Sequence, residues 1–272
     1  MNGIATARGM GAPAPAARRA FPAGVALLFL ASAGATVAWH AFPAAWNAMA
    51  LCGGGAPSAW MRLPGQGWLG ATAAFAAMWT VMMVAMMLPA LAPALWAWRR
   101  AAEAAGHPRA PGLAVLAGAA YFCVWAAVGL ALYPLGALWI AAQSRFPLLL
   151  AAAPAAAGAV ALAAGAIQAS RWKARHLARC RQVPGQLHGG PVNAAWAWRA
   201  GQRLGRHCLY SCAGPTLLLL AAGIMDLRAM ATVAALIALE RLAPAGQRIA
   251  RLGGLGMIGF GLFVLAGAAW PS

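Results

Sequence analysis

Residues 68–98 read WLGATAAFAAMWTVMMVAMMLPALAPALWAW, a stretch of aliphatic, aromatic and methionine side chains without one formal charge. A bilayer core of about 30 Å needs about 20 apolar residues at 1.5 Å each. This run is longer, so it must tilt, kink at Pro89 or protrude. Its reading as a transmembrane helix decides the fold class, because the rest of the chain repeats it. Further apolar runs occupy 21–42, 112–141, 146–170, 208–224, 230–242 and 255–270. The expectation is an all-α, polytopic transmembrane bundle of about seven spans, or six if the short run at 230–242 does not cross.

Composition agrees with this reading. The chain of 272 residues is 63% hydrophobic and only 8% charged, whereas a soluble domain carries about a quarter of its residues as charges. An ordinary soluble enzyme is excluded. The 20 Lys+Arg against 3 Asp+Glu give a net charge of +17. A nucleic-acid binder sets such charge on a polar, foldable scaffold; here it lies between apolar runs, so no nucleic-acid partner is expected. Sorted by connection, Arg8, Arg18 and Arg19, then Arg99, Arg100 and Arg109, the basic cluster of 171–206, and Arg241, Arg248 and Arg251 fall on one side. Only Arg62, Arg145 and Arg228 fall on the other. By the positive-inside rule this places the N-terminus in the cytoplasm. Residues 1–20 read as a disordered tail, and 21–272 as a single transmembrane domain with a basic cytoplasmic connection at 171–206. Ala31, Ser32 and Ala33 offer a signal-peptide cleavage pattern, but the apolar run continues to Phe42 and favours a retained span.

The chemistry on offer is sulfur. Glu103, Asp226 and Glu240 are the only acids, too few for carboxylate-pair hydrolysis or a hard-metal cage. No phosphate loop, dinucleotide fingerprint, His-Glu-x-x-His helix or Gly-x-Ser-x-Gly elbow is present, so no enzyme activity is expected. On a helix, Met78, Met82 and Met86 form one stripe and Met83 and Met87 the next, since residues four apart are neighbours. Thioethers are soft, uncharged ligands suited to Cu(I); they are equally good packing material in an apolar helix. Cys208 and Cys212 lie four apart on one helical face, with His207 at its edge. His176 and Cys180 repeat that spacing in the basic connection, whose charges also suit anionic lipid headgroups. Cys52 sits in a Cys-Gly-Gly-Gly loop and Cys123 inside the third run. An odd total of five cysteines argues against a disulfide framework. Asp226 reads as a helix cap, Glu240 and Arg241 as structural charges at the inner end of a span, and His40 as an interfacial residue.

Together these motifs resemble a bacterial family of predicted metal-binding integral membrane proteins, domain of unknown function 2182. The resemblance rests on Met78 to Pro93 with its Met-Met-x-x-Met-Met-Leu-Pro core, and on Ala120-Tyr121-Phe-Cys-Val-Trp125. It continues through Gly165-x-x-Gln168, Lys173 to Cys180-Arg181, Gly205-x-x-Cys208-x-x-x-Cys212, Gly223 to Leu227, and Leu239-Glu240-Arg241-Leu-x-Pro244. It covers roughly residues 70–255. The chain departs from that pattern at Ser211, where relatives often carry a second adjacent cysteine, and at Ala213, His176 and Asp226. Ser binds Cu(I) poorly, whereas His can replace Cys at many soft sites. The resemblance implies a bacterial inner (plasma) membrane location, the lipid bilayer as surroundings, and metal binding. The expected function is handling of a soft ion, Cu(I), by Met82, Met83, Met86, Met87, Cys208 and Cys212, with His176 and Cys180 relaying it on the cytoplasmic side to a metal-delivery or membrane-protein partner. The alternative is a noncatalytic membrane scaffold or assembly subunit whose sulfurs only pack. A shared Met and Cys site further requires the second helix to protrude, so that Met86 and Cys212 reach similar depth.

Overall fold

In the computed structural model, residues 15–41, 60, 62, 65–104, 106–181, 193–224 and 226–269 are described, and their regular structure is entirely helical. The helices are α1 (Pro15–Ala41), α2 (Trp68–Ala104), α3 (Ala110–Arg145), α4 (Pro147–Ala151), α5 (Ala153–Ala169), α6 (Arg171–Arg181), α7 (Ala194–Ser211), α8 (Ala213–Ala222), α9 (Leu227–Leu242) and α10 (Gly246–Ala269). Residues 1–14 of the expected tail, Cys52, and 182–192 of the basic connection lie outside the described residues. Pro15 to Ala20, expected in the tail, instead open α1.

The count of seven spans, and its fallback of six, are corrected. Among the described residues four helices are long and apolar enough to cross a membrane, namely Ala20–Trp39 within α1, then α2, α3 and α10. A fifth arises only if α5 and α6, bent by 59°, count as one span. The physical reason is local breaks that hydropathy does not register. Cys212 interrupts the run at 208–224, leaving α8 with 10 residues, about 15 Å of helix. The run at 146–170 breaks at Ala152 and again at Ser170, leaving 17 residues in α5, and α9 has 16. At 1.5 Å per residue both fall below the roughly 30 Å of a hydrocarbon core.

Asp226, read from the sequence as a helix cap, is one, and Asn193 is a second. Asn193 accepts a hydrogen bond from the backbone N–H of Trp196 at the start of α7, and Asp226 accepts from that of Ala229 at the start of α9. Both satisfy orphan donors of the first turn. At the α5–α6 bend, Ser170 is extended and its hydroxyl accepts from the Lys173 N–H at 3.2 Å.

The helices meet through small residues, as close backbone approach requires where apolar surroundings supply little drive of their own. Helices α5 and α10 form the most extensive pair. A Cβ on Gly165 would lie 2.6 Å from the Gly254 carbonyl oxygen, and one on Gly261 would lie 2.8 Å from that of Gly158. Gly165→Leu should therefore destabilise the fold by about 1–3 kcal/mol or more through overpacking. Gly256→Leu, on the open face of α10 with nothing nearby, should be silent. Thermal unfolding of both variants in detergent checks this, and equal melting of the two contradicts it.

The same device sets the site. Gly201 and Gly205 press α7 against the backbone of α3 at Ala117 and Tyr121. Gly129 leaves room for Trp79 of α2, whose indole N–H donates to the Trp125 carbonyl at 2.9 Å. Helix α1 packs on α2 through Phe21 and Trp96, ring centroids 5.7 Å apart. Many large apolar side chains remain exposed, among them Leu28 and Leu30 on α1, Leu69 on α2, Leu138 on α3 and Phe263 on α10. Faces of this kind fit contact with lipid.

Candidate metal centre

The methionine stripe of α2 turns inward. Met82, Met83, Met86 and Met87 are all buried, and they share one core cluster with Cys180, Cys208 and Cys212. Helix α2 runs on to Ala104, 37 residues in all. The sulfur reaching the cysteines is that of Met87, whose Sδ lies 3.9 Å from Cys208 Sγ. Cys208 Sγ in turn lies 3.8 Å from Cys212 Sγ. Cys208 sits within the last turn of α7 and Cys212 at the break before α8. The i, i+4 spacing thus survives as a side-by-side pair, and the Cys212 N–H still donates to the Cys208 carbonyl at 2.8 Å.

Tyr121 completes this cluster from α3. Its hydroxyl, wholly buried, donates to Cys208 Sγ at 2.7 Å, a contact that favours thiolate character on that sulfur. Ser211 donates to the Cys208 carbonyl at 3.0 Å and lies 3.8 Å from Cys212 Sγ. Cys180 reaches in from α6, with its Sγ 3.7 Å from Ser211 Oγ. The departure at Ser211 therefore puts a hydroxyl within 3.8 Å of the thiols of both Cys180 and Cys212.

His176 does not join Cys180 in one paired site. Its Nδ1 lies 3.1 Å from Nδ1 of His207 on α7, one rung outward on the same α6–α7 contact. Trp172 and Tyr210 pack their rings around His176 at 4.8 and 4.9 Å. Burial, with His176, Arg179 and Arg206 alongside, holds His207 below the usual imidazole range. A neutral ring there is a competent soft or borderline ligand. The rungs run inward from the half-buried histidines to Cys180 and Ser211 and then to Cys208 and Cys212.

Buried charge surrounds the thiols. Lys173 of α6, expected in a lipid-facing basic stretch, is 1% exposed and pairs with Glu240 of α9 at 2.6 Å. Gln168 of α5 accepts from the Lys173 ammonium and donates to the second Glu240 oxygen. This triad pins the α5–α6 bend to α9 and so fixes where Cys180 stands. Arg241, the next residue, is also buried and lies within electrostatic reach of Cys208, Tyr121, Cys212 and Cys180. Its Nε and Nη2 have no hydrogen-bond partner among the described residues. Sequence reasoning placed Glu240 and Arg241 at a span end and overlooked Tyr121 as a site residue. The available signal was the rarity of ionisable groups inside an apolar chain, which makes each a site candidate.

Among the described residues no three His, Cys, Asp or Glu side chains converge as a metal cage. What converges is two thiols and a thioether, a donor set for a soft ion of low coordination number rather than for tetrahedral zinc. With metal–thiolate bonds of about 2.3 Å, sulfurs 3.8 Å apart can share one ion.

The comparison with known families decides the wider class. A model of the PpoB2 family, described as a copper chaperone, matches residues 76–264. The chain belongs to this copper-chaperone family. The match runs from the methionine stripe through the cysteine-bearing helices α3, α6 and α7 into α10. It supports a copper-related role and is consistent with the metal-related family that the motifs resembled. No similarity to a curated protein or to a solved structure accompanies it.

Proposed function

We propose that this PpoB2-family chain is a multi-pass membrane protein of the bacterial inner membrane that carries Cu(I) as cargo, held by the Cys208 and Cys212 thiolates and the Met87 thioether. The observation that carries the reading is the contact of all three sulfurs around buried Cys208, at 3.8 and 3.9 Å. Met82, Met83 and Met86 line the approach from the α2 side with further soft donors. His176 and His207 form the half-exposed rung at which the ion enters or leaves by ligand exchange, and Cys180 stands between that rung and the buried pair. No step needs a reaction at carbon or phosphorus, so the chain acts by binding and transfer rather than as an enzyme. A delivery partner with its own thiolates would receive the ion.

The test is anaerobic titration of the purified full chain with Cu(I) against a competing chelator. One ion per chain is expected. Met87→Leu, close to isosteric, should weaken binding by about tenfold, or ~1.4 kcal/mol, without changing the melting temperature. A well-folded chain that takes up no Cu(I) overturns the reading and leaves the sulfurs as packing in a membrane scaffold.

A further inference from the structure

Of the buried charges around the thiols, two cancel. Lys173 and Glu240 form an ion pair at 2.6 Å with Gln168 bridging them. Arg241 has no such partner: its Nε and Nη2 are buried and without a hydrogen-bond acceptor among the described residues. A guanidinium with two buried, unpartnered nitrogens is expensive, and it cannot escape by losing its proton. The groups within its electrostatic reach include Glu240, already paired with Lys173, and Cys208, Tyr121, Cys212 and Cys180; of these, Cys208 and Cys212 become anionic when deprotonated for a metal. The residue thus stands as a fixed positive charge beside a cluster that gains its full negative charge only when a metal displaces the thiol protons.

We infer that Arg241 is the built-in counter-ion of a monovalent metal–thiolate complex and selects a singly charged soft ion over a divalent one. The inference rests on the proposed Cu(I) site and adds the source of its selectivity. Cu(I) arriving at Cys208 and Cys212 displaces two thiol protons to solvent, with no change in oxidation state. The two thiolates and one Cu(I) sum to −1, and the Arg241 guanidinium brings the buried total to zero. Zn(II) at the same two thiolates is neutral by itself and leaves Arg241 uncompensated at +1. In a low-dielectric interior that single unit of charge separates the two ions strongly. The Met87 thioether, being uncharged, leaves the sum unchanged. A carboxylate or a third thiolate would alter it, and Ser211 stands where a further thiolate would otherwise sit beside Cys212.

The experiment is a set of anaerobic competition titrations of the full chain in detergent with Cu(I), Ag(I) and Zn(II), for the wild type, Arg241→Met and Arg241→Lys. Arg241→Met should lower Cu(I) and Ag(I) affinity by at least about tenfold, which is ~1.4 kcal/mol, and should raise Zn(II) affinity. Arg241→Lys, which keeps the charge, should retain the wild-type order. A folded Arg241→Met chain with an unchanged Cu(I)-to-Zn(II) ratio overturns the inference while leaving the copper site standing. If the Met variant does not fold, the wild type still decides, because Zn(II) held at the same two thiols as tightly as Cu(I) overturns the inference directly. Failure of the wild type to bind either monovalent ion overturns both this inference and the proposed function.

Discussion

Glu240→Ala should unfold much of the protein at temperatures where the wild type is stable, with a loss of about 3–5 kcal/mol. The substitution strands the Lys173 ammonium, which is 1% exposed and would keep only Gln168 as a partner. Lost pairing, rather than lost volume, is the main cause. Total stabilities of about 5–15 kcal/mol make this a large fraction of the whole. The triple change Lys173→Met, Glu240→Leu and Gln168→Leu removes the charges together and should recover most of the loss, because apolar replacement of a buried pair is often neutral. Thermal unfolding in detergent reads both. A single Glu240→Ala variant that melts like the wild type contradicts the account of how α5, α6 and α9 are joined. Because this triad sets the position of Cys180, the single variant should also lose the His176–His207 contact across α6 and α7.

Cys208→Ser should abolish stoichiometric Cu(I) binding while leaving the fold in place. Cys208 touches Met87, Cys212 and, through a hydrogen bond, Tyr121. Serine has nearly the same shape and can still accept from Tyr121, but its hydroxyl is a poor ligand for a soft ion. Removal of one of two thiolates should cost several decades of affinity, on the scale of about 4 kcal/mol per thousandfold. Cys212→Ser should behave alike, whereas Cys180→Ser should weaken binding by about tenfold at most, because the contact of Cys180 is with the Ser211 hydroxyl rather than with a thiol of the pair. Metal analysis after desalting, beside a melting curve for each variant, distinguishes lost ligation from lost structure. Full occupancy in folded Cys208→Ser would show that copper sits elsewhere.

Much of this cluster was legible because helical periodicity is local. The i, i+4 spacing of Cys208 and Cys212 and the stripes from Met82 to Met87 require nothing beyond 3.6 residues per turn. Burial of all four methionines follows from the same pattern on a helix with an apolar core face. Sequence spacing failed where partners come from different helices. His176 and Cys180 were expected to work together because they share a face of α6, yet each finds its own partner on α7, His207 and Ser211. Tyr121 and Arg241 enter the cluster across long separations that no local pattern encodes. Lys173 looked like one more positive charge in a basic stretch, and only its contact with Gln168 and Glu240 makes it interior.

The span count erred for a related reason. Mean hydropathy averages over a window, whereas a helix ends at a single residue whose backbone departs from helical geometry. Ser170 and Cys212 are two such residues; neither is glycine or proline, so neither announces itself. The break at Cys212 also turns the chain beside the Cys208 thiol, so the feature that removed a span is part of what builds the cluster.

X-ray absorption at the copper edge of the Cu(I)-loaded full chain tests the central claim most directly, by counting sulfur and nitrogen neighbours. Three sulfur scatterers in the wild type, falling to two in Met87→Leu with no nitrogen appearing in either, are the predicted result. A first shell containing imidazole nitrogen, or a sulfur count that Met87→Leu leaves unchanged, would contradict a site built from Cys208, Cys212 and Met87.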